Sequence, residues 1–259
     1  MILLNAPILE TDTYLALIHR GPSPAYSKIR NDTFRTLATD PLFKRRVSEA
    51  SLIRLLNAVA WKLHDAREER GELKHTANIQ GSPELQSTPS RTHALTLTTE
   101  GSEVGNSEPG IYVQGMNVLS APFLYAARSE AEAFIAFHRF ITHECPGYVR
   151  GAMDGVHAGL ALVDKVLAIV DPKLSLYLIA KGMKAELYAF PSVLTLCACT
   201  PPLPEVLRLW DFLFAYGAHL NSLCIVAQLV ILRNQILSSP RYVFHSPTTP
   251  FLPNKQTLI

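Results

Sequence analysis

The stretch "VSEASLIRLLNAVAWKLHDAREE", residues 47–69, decides the fold class, because its apolar residues recur with the period of an α-helix. In a helix, one face would carry a stripe of the apolar residues Leu52, Leu55, Leu56, Val59 and Leu63. Ser48 precedes this stripe and is a good N-cap residue, since its hydroxyl can accept a hydrogen bond from a backbone N–H of the first turn. The sequence therefore predicts an amphipathic helix that buries one face.

Helical signals continue along the chain. Ser129 and Glu132 form a capping-box pattern, and Asp171 stands before a proline as an N-cap residue does. Residues 155–170 are strongly periodic, and residues 204–217 end at a glycine, which is a common helix stop. Strand-like alternation is scarce and no internal repeat has a fixed period. We therefore expect an all-α fold with an irregular multi-helix arrangement.

One segment differs in composition from the rest. Residues 71–110 contain no Phe, Tyr or Trp, so they bury too little apolar surface to offset the entropy of ordering. We expect a disordered insertion there, inside one domain that spans residues 11–237. A proline-rich tail is expected at 238–259. Asn221 is predicted to cap a last long helix that reaches about Leu237.

Overall composition limits the classes of function. Of the 259 residues, 48% are hydrophobic, and the formal net charge of +2 is too small to indicate nucleic-acid binding. The longest apolar run, residues 222–232, is too short to insert across a membrane. The four cysteines indicate reduced thiols in a cytoplasmic protein. Cys197-x-Cys199 has no partner pair at ligand spacing, so we expect no metal site.

The first segment with candidate chemistry is "KIRNDTFRTL", residues 28–37. Asp32 and Arg35 are separated by three positions, which places them on one side of a helix. Asp32 could then hold the Arg35 guanidinium by charge-assisted hydrogen bonds. The alternative interpretation is an ordinary surface ion pair on a helix.

The second segment is "IYVQGMNVLSAP", residues 111–122. Gln114 has an amide that does not titrate near neutral pH, and it stands beside Gly115. The alternative interpretation is a helix start, in which Gly115 supplies flexibility, Asn117 and Ser120 cap, and Pro122 starts a turn.

Taken together, the two segments favour positioning and electrostatics over ordinary acid–base catalysis. Arg35 keeps its proton and can stabilise charge on a transferring phosphate, while the amide of Gln114 can orient the attacking water. Both side chains can be supplied to a partner protein. Because the chain has no Walker-type glycine-rich loop, the nucleotide is expected to sit on the partner.

Three motifs then carry a resemblance. "IRNDTFRT" resembles the I-x-x-D-x-x-R motif, "YVQGMN" the Y-x-Q-G motif, and "LRLWDFLF" (207–214) the W-D-x-(L/F)-F helix of TBC domains. TBC domains are all-helical GTPase-activating domains for Rab-type small GTPases. The run "GPSPAYSKIRNDTFRTL" further resembles the fungal subgroup that acts in the spindle-position checkpoint, which restrains mitotic exit or septation.

The resemblance implies roles for particular residues. Arg35 would be the arginine finger and Gln114 the glutamine finger, both acting in trans on GTP and Mg²⁺ bound to a Rab/Ras-like GTPase. The supporting residues would be Asp32, Tyr112, Gly115 and Asn117. Asp32 would brace Arg35, and Gly115 would permit close approach of the partner's nucleotide site. The chain would be a GTPase activator without a cofactor or nucleotide site of its own.

The resemblance also implies a checkpoint scaffold partner and recruitment to spindle poles. TBC domains usually begin with an R-G-x-x-W segment, which nothing in this sequence matches, so we expect that the N-terminal helices are missing. This departure keeps an alternative open. In that alternative the chain is a catalytically weak scaffold subunit that binds a GTPase without accelerating hydrolysis.

Overall fold

The computed structural model describes residues 11–79, 111–148 and 153–238, with the backbone alone for residues 70–79. Within these ranges the chain forms helices and no strand, which confirms the all-α prediction. The helices are α1 (Thr11–His19), α2 (Tyr26–Thr33), α3 (Pro41–Arg46), α4 (Glu49–Ile79), α5 (Met116–Ala126), α6 (Glu130–Arg139), α7 (Asp154–Val170), α8 (Pro172–Ala180), α9 (Ala185–Tyr188), α10 (Phe190–Leu194), α11 (Leu203–Tyr216), α12 (Asn221–Ile231) and α13 (Arg233–Ser238). A π-helical turn, Phe140–Glu144, and the 3₁₀ turns Pro146–Tyr148 and Ala218–Leu220 complete the described elements.

The first hydrophobic core lies among α1 to α6 and α11. The predicted stripe of α4 is buried in it, as Leu52, Leu55, Leu56, Val59 and Leu63 show. Trp210 of α11 is buried and packs against aromatic rings of α5 and of the π-helical turn. Its indole N–H donates to the carbonyl oxygen of Leu196 at 2.8 Å. The tryptophan of the third motif therefore anchors the core.

The second hydrophobic core lies among α7 to α10, α12 and α13. Tyr148 and Leu209 pack against both cores and join them. Tyr148 also donates a hydrogen bond from its hydroxyl to the carbonyl oxygen of Val193 at 2.9 Å. Both candidate segments contribute to the first core, through Ile29 and Met116.

Three of the predicted N-caps, those at Ser48, Ser129 and Asp171, are confirmed in detail. Ser48 Oγ accepts from the N–H of Ser51 at 3.1 Å, and Asp171 accepts from the N–H of Leu174 at 3.0 Å. Ser129 Oγ accepts from the N–H of Glu132 at 3.2 Å. These side chains satisfy backbone donors that a helix start leaves without partners.

Helix α4 extends to Ile79, so its backbone runs into the first residues of the predicted insertion. The segment "GELKHTANI" contains Glu, Leu, Lys and Ala, which favour helix and extend a helix that is already nucleated. The rest of the predicted insertion lies outside the described residues, as does the tail after Ser238. Their description, and the domain limits 11–237, stay predictions.

The last helix is also interrupted, contrary to prediction. Asn221 is the first residue of α12, and its side chain does not cap the helix. Its amide instead donates to the carbonyl oxygen of Ser192 at 3.0 Å and accepts from the Cys197 thiol at 3.3 Å. Helix α12 ends at Ile231, and α13 follows as a separate helix. Ser192 of α10 and Cys197 of the turn after it are buried, so the Asn221 amide satisfies polar groups that water does not reach.

Candidate functional site

Arg35 lies in the turn directly after α2, not inside the helix. Its Nη2 atom lies 2.8 Å from Asp32 Oδ1, as the spacing of the two residues predicts. The Arg35 side chain is 59% exposed, whereas that of Asp32 is only 12% exposed. The carboxylate therefore belongs to the protein interior and holds the guanidinium of an arginine whose side chain is exposed. This arrangement differs from a surface ion pair, in which both partners are exposed.

The second oxygen of Asp32 connects the two candidate segments. Tyr112 donates from its hydroxyl to Asp32 Oδ2 at 3.0 Å. Burial raises the pKa of Tyr112 well above its ordinary value, and the charge of Asp32 raises it further. The phenol therefore keeps its proton across the neutral range and remains a donor. One carboxylate thus accepts from Arg35 and from Tyr112 at the same time.

A buried amide makes the second connection. The Asn117 side chain donates to Thr36 Oγ1 at 2.8 Å and to the carbonyl oxygen of Asp32 at 3.3 Å. Its amide oxygen accepts from the N–H of Gly115 at 3.2 Å. Asn117 is 6% exposed, so these hydrogen bonds compete little with water. The amide fixes the turn that carries Arg35 relative to the start of α5.

Gly115 occupies a position that glycine suits in two ways. Its φ is +102°, a left-handed conformation that residues with a Cβ rarely adopt. A Cβ built on it would lie 2.7 Å from Leu194 Cδ2 of α10. The start of α5 therefore packs closely on the second core. The predicted approach of a partner at Gly115 stays a prediction.

Gln114 stands at the tip of this loop and is exposed. The alternative interpretation of the segment as a simple helix start is wrong in one respect. Pro122 lies inside α5, which continues to Ala126, and does not start a turn. The structure thus brings the two segments together, with Arg35 and Gln114 exposed and with Asp32, Gly115 and Asn117 buried.

A group of side chains that could bind a metal ion lies on α4, away from the two candidate segments. Among the described residues, His64, Asp65 and Glu68 on α4 place one ligand atom each within 4.8 Å of one another. Arg20 already donates to both oxygens of Asp65, at 2.7 and 2.8 Å. No described helix is both long and apolar enough to cross a membrane.

Two positioning residues were not predicted from the sequence. Thr36 follows Arg35 directly, and its hydroxyl both accepts from Asn117 and donates to the carbonyl oxygen of Asp32. The polar Thr36 beside the arginine motif is a sequence signal from which this positioning role could be predicted. Leu194 comes from a distant part of the chain, and no local pattern points to it.

Known proteins resemble this chain in sequence and in fold. A sequence profile of the Rab-GTPase-TBC domain matches residues 103–237 of the chain. The chain belongs to this family. The match includes the Gln114 loop of the TBC domain and the helix of Trp210, while Arg35 lies before the matched residues.

Several curated proteins are similar to this TBC chain. It is 45% identical over 239 residues to cell division control protein 16 of Schizosaccharomyces pombe, covering 92% of this chain and 65% of that protein. It is 39% identical over 232 residues to the mitotic check point protein BUB2 of Saccharomyces cerevisiae, covering 89% and 65%. A putative BUB2 of Dictyostelium discoideum is 35% identical over 247 residues, covering 95% and 55%. The chain therefore spans at most 65% of the length of these relatives.

Solved structures show the same fold. The chain superposes on the Chlamydomonas flagellar RabGAP TBC domain with a TM-score of 0.59 at 18% identity, covering 88% of this chain and 62% of that one. The Ypt/Rab-GAP domain of Gyp1p gives a TM-score of 0.60 at 16% identity, covering 88% and 67%. These comparisons confirm the predicted TBC-like fold.

Proposed function

We propose that this TBC chain stimulates GTP hydrolysis by a Rab/Ras-like small GTPase and supplies Arg35 and Gln114 in trans. One observation carries the proposal. Asp32 accepts hydrogen bonds from Arg35 and from Tyr112, so one carboxylate links the arginine motif to the glutamine motif. Arg35 and Gln114, which would reach a partner, are exposed, whereas Asp32, Gly115 and Asn117 are buried.

The chemistry follows from the two exposed groups. When the γ-phosphate leaves GTP, negative charge spreads over the phosphoryl and leaving oxygens, and the guanidinium of Arg35 stabilises it. The amide of Gln114 can accept a hydrogen bond from water and donate one to the phosphate, which orients the water for attack. GTP and Mg²⁺ belong to the partner. An arginine finger supplied in trans is worth about 10³ to 10⁵ in rate.

The relatives suggest the cellular setting. Two of them carry names that refer to cell division control and to a mitotic check point. We therefore assign the chain to a checkpoint that restrains mitotic exit or septation. In this proposal it acts in the cytoplasm, is recruited to spindle poles, and works together with a scaffold protein.

Single-turnover GTP hydrolysis tests the proposal. A panel of purified Rab- and Ras-like GTPases, loaded with GTP, is mixed with no addition, this chain, Arg35→Ala or Gln114→Ala, with and without the candidate scaffold. We expect the wild type to accelerate hydrolysis by one GTPase, and each variant to lose at least about a hundredfold of that rate.

The same assay separates the two candidate functions. A folded wild-type chain that binds a GTPase without accelerating hydrolysis would contradict the activator function and favour the scaffold subunit. Circular dichroism of each variant shows whether a lost rate reflects chemistry or a lost fold.

A further inference from the structure

Phe34 is a large apolar side chain that lies directly beside Arg35 and is 66% exposed. The centre of its ring is 5.8 Å from the guanidinium carbon of Arg35. Single exposed apolar residues are common on protein surfaces, so exposure alone does not indicate a function. The position of Phe34 and the rigidity of its turn distinguish it from the other exposed apolar residues.

The turn that carries Phe34 is held by several hydrogen bonds. The N–H of Thr36 donates to the carbonyl oxygen of Thr33 at 3.0 Å, and the Thr36 hydroxyl donates to that of Asp32 at 3.1 Å. Leu37, which follows, has a φ of +45°, a conformation that a non-glycine residue keeps only where its surroundings determine it. Phe34 therefore projects from a fixed backbone.

We propose that Phe34 is a docking residue for the partner GTPase. Its ring packs against an apolar patch of the GTPase beside the nucleotide site, while Arg35 enters that site. This inference rests on the proposed function. The Phe34 ring centre lies 5.8 Å from the Arg35 guanidinium carbon, so a partner surface that surrounds the guanidinium also comes close to the ring. An exposed aromatic ring in that place loses its water on docking and contributes binding energy.

The partner surface must then be apolar where it meets the ring. Phenylalanine has two side-chain torsions, so fixing it in an interface costs little entropy. A different function would be support of Arg35 by a cation–π contact, because the guanidinium lies near the ring. That function predicts a change in the rate of the bound complex, whereas docking predicts a change in affinity.

The test measures affinity and rate separately. Using the GTPase of the panel that the wild type stimulates most, single-turnover rates are recorded over a range of chain concentrations. For Phe34→Ala we expect the half-saturating concentration to rise about tenfold to a hundredfold, as loss of a buried phenylalanine contact implies. The limiting rate should stay within about twofold of the wild type. Phe34→Leu should restore part of the affinity.

Leu176→Ala is the matched control. Leu176 is 67% exposed, nearly the same as Phe34, and lies on α8, which packs against α7 and α13 in the second core. We expect it to change neither quantity. Because both side chains are exposed, we expect equal thermal unfolding midpoints for the wild type and both alanine variants. Equal midpoints would show that the fold is intact.

The outcomes separate this inference from the proposed function. A lower limiting rate at unchanged half-saturation overturns docking and assigns Phe34 to the support of Arg35. Unchanged kinetics of Phe34→Ala also overturn it. If the wild type accelerates no GTPase of the panel, the activator function fails. Titration calorimetry with the same GTPases loaded with a non-hydrolysable GTP analogue then decides, and equal or absent binding by wild type and Phe34→Ala overturns docking.

Discussion

Replacement of Asp32 by Asn tests whether the carboxylate acts through Arg35. Asp32→Asn keeps the size of the side chain and one acceptor oxygen but removes the charge that holds the guanidinium at 2.8 Å. An arginine side chain carries about 2 kcal/mol of rotamer entropy when it is free. Since about 1.4 kcal/mol corresponds to a tenfold change in rate, release of Arg35 should lower the limiting rate about 10- to 30-fold.

The assay is a double-mutant cycle under single-turnover conditions with saturating chain. It compares the wild type, Asp32→Asn, Arg35→Ala and the double variant. We expect Arg35→Ala to lose about 10³-fold or more, and Asp32→Asn to cause no further loss in that background. Tyr112→Phe is the control, because it removes the other hydrogen bond to the same carboxylate while the charge remains.

Two results would refute this reasoning. If Asp32→Asn lowers the rate by the same factor with and without Arg35, the carboxylate acts through the fold rather than through the arginine. If Asp32→Asn leaves the wild-type rate unchanged, Arg35 does not need the carboxylate to take up its reactive position.

Three further predictions concern stability. Gly115→Ala should lower the free energy of unfolding by about 1–3 kcal/mol, measured in urea, because it strains a φ of +102° and crowds Leu194. Trp210→Phe should cost at least about 1–3 kcal/mol by the same measurement, since the buried carbonyl of Leu196 loses its donor. Burial lowers the pKa of His138 to about 4 from its ordinary 6.5. The unfolded chain therefore takes up this proton first, and the free energy of unfolding should fall as the pH falls from 6.5 towards 4.

Matched variants test each cause. Gly21 also has a positive φ, of +86°, but nothing lies within 4 Å of its added Cβ, so Gly21→Ala should cost less than Gly115→Ala. An equal cost would show that the Leu194 contact is unimportant. For the tryptophan, an unchanged unfolding free energy of Trp210→Phe would refute the role of its hydrogen bond. In His138→Gln, the fall in stability between pH 6.5 and 4 should be smaller than in the wild type. An identical pH profile would assign that fall to other groups.

The sequence predicts those parts of the structure that depend on neighbouring residues. The stripe of α4 and the caps at Ser48 and Asp171 arise within one or two turns of a helix, so their patterns are visible locally. The pair Asp32 and Arg35 belongs to the same class, because three positions separate the two residues. Local spacing is sufficient in each of these cases.

Contacts between distant segments were not predictable in the same way. The hydrogen bond from Tyr112 to Asp32 closes a long loop, and the contact of Leu194 with Gly115 joins the two cores. The sequence predicts Asn221 as a cap because Asn often serves as one, yet its amide donates to the carbonyl oxygen of Ser192 in α10. Tertiary demands override local preference where a polar group is buried.

The division between exposed and buried residues also determines what rate measurements on this site can mean. An ion pair whose arginine is 59% exposed contributes little to stability, so removal of the Arg35 side chain should leave the fold intact. The Gln114 side chain is also exposed, so its removal should leave the fold intact as well. Asn117, by contrast, fixes two loops through buried hydrogen bonds, and its loss affects stability and rate together. Variants of the two exposed residues therefore report on chemistry, whereas variants of Asn117 report on the positioning of both.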